Sequence, residues 1–98
     1  MLVALTSPAS GPAGDRLVRS LSEIRRMRFD DDDAVEFHLA HGEWVATLGR
    51  HGFTVEALHE LYAPEHVEDE RRFDWMTVEW ARRWPLEELW VARLSDRA

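Results

Sequence analysis

A chain of 98 residues, 45% hydrophobic and 32% charged, is long enough for one small domain with a single core and too short for two. Nineteen acidic against twelve basic residues leave a net charge of −7, and five basic face eight acidic residues in 1–49 while seven face eleven in 50–98, so neither half attracts phosphate backbones or anionic membranes. With no cysteine there is no disulfide, thiolate nucleophile, sulfur-ligated zinc or iron–sulfur cluster, and the cytoplasm is the default location.

Residues 1–5 (MLVAL) are apolar but lack a basic leading region and are far shorter than a signal-peptide core or a membrane span. They read as a short strand, followed by a turn-rich stretch at 6–14 in which Pro8 and Pro12 block regular hydrogen bonding. From Asp15, a plausible N-cap, Leu17, Leu21 and Ile24 recur at spacings of four and three, with Val18 and Met27 beside them, and predict a helix over 15–28. The four carboxylates of Asp30–Asp33 repel one another at what would be the helix C-terminus and predict a solvated loop; the spacing of a calcium-binding loop is absent.

Residues 35–39 alternate as a short strand. Trp44, Val45 and Leu48 then share one face of a helix over 41–51, which Gly52 is placed to close in a left-handed conformation. Phe53, Val55, Ala57 and Leu61 recur with period two and Leu58 adds an apolar residue opposite, as for a strand covered on both sides. Residues 63–74 form a charged connection. Thr77 caps a short helix that carries Glu79 in its first turn and must end near Trp84, because Pro85 disfavours helical geometry before it. A last strand covers 89–94.

VEFHLAHGEWVATLGRHGFTVEALHELYAPE at 35–65 and EWARRWPLEELWVARL at 79–94 together resemble the end of a class I S-adenosylmethionine-dependent methyltransferase of a type common in actinobacteria. Such enzymes run a histidine-flanked strand into a helix, a Gly-Phe junction, a strand, a long connection and a closing EWARRWP-x-E-E-x-W strand. Ala40 departs from the pattern where the family often has proline. The resemblance implies an α/β fold, part of a Rossmann-like doubly wound sheet in which 53–61 would be the sixth strand and 89–94 the seventh, an antiparallel pair. Residues 1–34 would be a remnant holding part of the fifth strand, and 35–98 the closing α/β unit.

The family's Gly-rich turn after its first strand and the acidic residue ending its second, which hold the donor, have no counterpart in this sequence. None of the glycines at 11, 14, 42, 49 and 52 forms a Gly-x-Gly pattern. The expectation is therefore a methyltransferase-like C-terminal fragment that binds no S-adenosylmethionine and is inactive alone, with self-association or a partner chain supplying the N-terminal half. The alternative is a small non-catalytic interaction domain pairing through an exposed sheet edge. Neither nucleic acid nor membrane is an expected partner.

His38, His41 and Glu43 are the only clustered groups able to act as a base or to touch substrate, and the resemblance places them near where substrate would enter an intact relative. Read from the residues, His38 and His41 are first of all partners at a strand–helix junction, and their spacing is not that of paired helical metal ligands. His51, His59 and His66 are dispersed. The five tryptophans, at 44, 75, 80, 84 and 90, read as packing groups, with Trp80 and Trp84 forming a wedge beside Trp90.

Overall fold

The computed structural model describes residues 1–29, 33–66 and 75–96. It is a small mixed α/β structure: helix α1 (Leu2–Thr6), a 3₁₀ turn (Glu23–Arg25), helix α2 (His41–Arg50), strand β1 (Phe53–Leu61), helix α3 (Val78–Arg83) and strand β2 (Glu87–Leu94). The two strands pair antiparallel in a two-stranded sheet. Asp33 has no regular structure, while residues 30–32 of the acidic run and most of the charged connection, at 67–74, lie outside the described residues.

The first five residues are helical rather than extended. A helix apolar on every side is stable only when both sides are covered, and α1 lies between two clusters. Ala4 and Leu5 pack with Ile24 and Met27, while Leu2 and Val3 pack against Ala13, Trp80 and Ala81. A five-residue apolar run has no period to read, so only its surroundings decide its state.

The helix expected over 15–28 is absent; only a 3₁₀ turn at Glu23–Arg25 stands in that stretch, which packs along α1 instead. The last carbonyls of α1 need donors, and the chain that follows supplies them: Gly14 N–H donates to Thr6 O at 3.1 Å and Val18 N–H to Leu5 O at 2.8 Å. The Arg19 guanidinium donates to the carbonyls of Ala4 and Ser7. The Val18 N–H and the Arg19 side chain thus tie this stretch to α1, and Leu17, Val18 and Leu21 are left exposed, Leu17 by 73%. Regular structure begins only at Glu23, after a turn that Ser20 opens. The Ser20 N–H donates to Glu23 Oε1 at 2.9 Å and the Glu23 N–H to Ser20 Oγ at 3.2 Å, a reciprocal capping box. It opens the 3₁₀ turn that buries Ile24 completely.

Residues 35–39 make one antiparallel bridge, between Glu36 and Met27, in place of a strand, with His38 N–H donating to Ile24 O at 3.1 Å. Phe37 points to solvent, 70% exposed.

The second half follows its local signals. α2 ends at Arg50 and Gly52 turns the chain with φ +84°, a conformation that costs glycine little, into β1. The Thr77 hydroxyl accepts from Trp80 N–H at 3.1 Å to open α3, and Trp84 is already extended before Pro85. β2 starts two residues earlier than the sequence suggests, at Glu87. Trp80 is buried and its indole N–H reaches Gly14 O at 2.8 Å, so α3 packs on the N-terminal segment. No wedge of tryptophans forms, since Trp84 is 42% exposed and Trp90 stacks instead with Trp44.

A register shift between Val55 and Ala57 reshapes β1. Cross-strand partners share a face, so Phe53, Val55 and Leu58 lie with Leu94, Ala92 and Trp90, whereas Ala57 and Leu61 lie with Val91 and Glu87 on the other. The extra residue, Glu56, thus reverses the strand's facing. α2 packs on β1, and the half-buried Ala92, Trp90 and Glu88 belong to the more covered face. The other face is open rather than covered: Leu61, Leu89 and Val91 are 40%, 52% and 39% exposed.

These packing relations predict that Ile24→Ala lowers unfolding free energy by about 3 kcal/mol, while Leu17→Ala changes it by less than about 0.5 kcal/mol, both measured by urea denaturation. The Ser20 backbone N–H first, then its hydroxyl and the Arg19 charge, hold the Glu23 carboxyl below the usual carboxylate range. A depressed folded-state pKa gives stability that is present above the unfolded value of about 4.3 and is lost as pH falls through the folded value. Glu23→Gln therefore narrows its stability gap to the parent chain as the pH of the urea titration drops below about 4.

Candidate functional site

The residues best placed for chemistry lie where the first turn of α2 meets the middle of β2. His41 opens α2 behind Ala40, whose carbonyl accepts from Trp44 N–H at 3.0 Å but whose side chain provides no cap. His41 and Trp44, three apart, sit on one face of the helix. Glu88 and Trp90, two apart, sit on one face of β2. The four side chains converge on Trp90: the His41 ring meets it edge-on, with centroids 6.0 Å apart and planes at 71°, and the Trp44 ring lies 6.2 Å away at 37°.

Across this junction His41 Nε2 is paired with Glu88 Oε2. The carboxylate is mostly covered, with 16% of its side chain accessible, and the imidazole is 36% accessible. A carboxylate bound to one ring nitrogen fixes the orientation of the imidazole and leaves the second nitrogen available to give or take a proton. This is the geometry that a base and its orienting group would need, beside the indole of Trp90.

His38 and Glu43, the other two residues singled out by sequence, do not join it. His38 Nε2 pairs with Glu36 Oε1 at 3.0 Å, two residues back along the same extended segment. Glu43 Oε2 meets Arg25 Nη2 at 2.8 Å, tying α2 to the 3₁₀ turn and raising the Arg25 pKa. The three candidates thus have three separate partners. Glu36 and Glu88 were not apparent from the sequence; strand alternation back from Trp90 would have placed Glu88 on its face had β2 been extended to Glu87.

No three His, Asp or Glu side chains among the described residues are placed to hold a metal ion. A shallow hollow beside the 3₁₀ turn, about 430 Å³, is lined by Arg19, Arg25, Arg26 and Arg28 with Glu23. Arg19 is committed to the α1 carbonyls and Arg25 to Glu43. No helix among the described residues is long and apolar enough to cross a membrane.

Comparison with protein-family models, with curated proteins and with solved structures found no match.

An isolated, half-exposed pair contributes modestly. A double-mutant cycle of His41→Gln and Glu88→Gln is expected to give a coupling of about 0.5 kcal/mol in thermal or urea unfolding. The cycle of His38→Gln with Glu88→Gln is expected to give none.

Proposed function

We propose that the chain is the closing α/β unit of a class I S-adenosylmethionine-dependent methyltransferase and that these 98 residues do not transfer methyl groups alone. What supports the reading is one ordered observation: helix α2, the left-handed Gly52, β1, a charged connection, α3 and β2, with β1 and β2 antiparallel. That is the order and the strand direction implied by the sixth and seventh strands of the family the sequence resembles.

The donor side is where the reading limits activity. A class I donor site needs a glycine turn leading from a strand into a helix, so that backbone N–H groups approach the cofactor. Gly52 connects elements in the opposite order, helix to strand, while Gly42 and Gly49 lie inside α2 and Gly11 and Gly14 in the loop after α1. In this proposal a donor-binding half must come from elsewhere, and His41 with Glu88 would face the acceptor, His41 serving as base where the acceptor carries a proton. Methyl transfer to an unprotonated nucleophile needs only orientation, for which Trp44 and Trp90 offer apolar surface.

The open sheet face favours a second reading, a non-catalytic interaction domain. Leu61, Leu89 and Val91 form an apolar strip that no other described element covers, as on a module that pairs with another chain.

Isothermal titration with S-adenosylhomocysteine, beside circular dichroism, tests the first reading. The folded chain alone is expected to give no heat. Fused behind the first five strands of an actinobacterial class I methyltransferase, it is expected to yield a folded protein that binds the ligand at micromolar concentration. Binding by the chain alone, or a fusion in which the donor half folds and the appended unit does not dock, overturns it.

A further inference from the structure

β2 has one partner, β1, so among the described residues its second edge is unpaired. An open edge is a template for another strand. Its sequence says which strand fits. On the open face β2 presents Glu87, Leu89, Val91 and Arg93 in that order, an acid at one end, a base at the other and two exposed apolar residues between. Such a strip is complementary to itself when reversed.

We propose that β2 pairs edge to edge and antiparallel with β2 of a second copy, centred on Trp90, to give a four-stranded sheet. A two-fold axis perpendicular to the sheet relates the copies, so the same surface serves both. Glu87 then faces Arg93 of the second copy, twice by symmetry, and Leu89 faces Val91 of the second copy. On the α2 face Trp90 meets its own equivalent and Glu88 faces Ala92 of the second copy, so no two like charges stand opposite. Sliding the register by two residues in either direction sets Glu87 against Val91 or Ser95 and loses both ion pairs. Arg93 already meets Glu56 at 2.9 Å with 72% of its side chain accessible, and its planar fork has donors for both carboxylates. Side by side, the open faces of the two copies merge Leu89 and Val91 into one continuous apolar strip flanked by charge.

This inference is independent of the methyltransferase reading, because it concerns the mass of the particle and not ligand binding. Sedimentation equilibrium measures it. The parent chain is expected to dimerise at tens of micromolar, Glu87→Arg and Arg93→Glu are each expected to weaken the dimer by roughly tenfold by setting two like-charge pairs opposite each other, and the double exchange is expected to restore it. A monomeric parent chain, single variants that associate as the parent does, or a folded double exchange that stays monomeric overturns the proposal. Because the chain lacks cysteine, disulfide trapping provides a test that involves no charge change. Leu89→Cys mixed with Val91→Cys is expected to cross-link, and Leu89→Cys alone to cross-link far less; equal trapping of both overturns the register. A partner chain other than a second copy would leave the parent monomeric and unlinked.

Discussion

The burial of α1 is the constraint on which the N-terminal part of the structure depends. Five residues form barely one turn and cannot sustain a helix by themselves. α1 persists because it is apolar on both sides and each side has a cluster to meet, Ile24 and Met27 on one and Trp80 with Ala81 on the other. Its C-terminal carbonyls, which would otherwise be buried without donors, take the N–H groups of Gly14 and Val18 and the Arg19 guanidinium. The course of residues 13–19 is thus the capping arrangement of α1 drawn out along the chain. Trp80, by donating to Gly14 O, anchors α3 to the same loop.

What could be read in advance divides along this line. α2, β1, α3 and β2 carry their instructions within a few residues: Gly52 for a left-handed stop, Thr77 and Pro85 for the limits of a six-residue helix, and period-two alternation for the strands. α1 and residues 15–28 do not. The recurrence of Leu17, Leu21 and Ile24 has helical spacing, but only Ile24 is buried, and Val18 and Arg19 donate to carbonyls at the end of α1 rather than within a helix of their own. One local signal was present and outweighed by that spacing: Ser20 and Glu23 stand three apart, the capping-box interval, and the 3₁₀ turn starts at Glu23. Glu56 shows the same limit in a strand. An inserted residue reverses which side chains share a face, and its presence is decided by pairing with β2 rather than by anything in β1 alone.

The candidate site was half legible for the same reason. His41 stands out as a titratable residue at the start of a helix, but its partner Glu88 is 47 residues away and reaches it only because α2 lies across the sheet. His38 and Glu43, close to His41 in sequence, are drawn off by Glu36 and Arg25. Nearness along the chain suggested a cluster of three. Folding replaced it with three pairs, of which only His41 with Glu88 sits against the aromatic surface of Trp90 and Trp44.

The sheet itself is unequal in its two faces, and this bears on both proposed roles. α2 lies over one face and brings His41 and Trp44 to β2, whereas the opposite face leaves Leu61, Leu89 and Val91 in contact with water. An isolated two-stranded hairpin is marginal in water, and a helix on one side helps but covers only half of its apolar surface. Further strands on the open edge of β2 would add ladder hydrogen bonds and flank the uncovered strip without disturbing the His41–Glu88 junction on the α2 face. The second copy proposed above would supply such a strand through its own β2, on the edge that β1 leaves free.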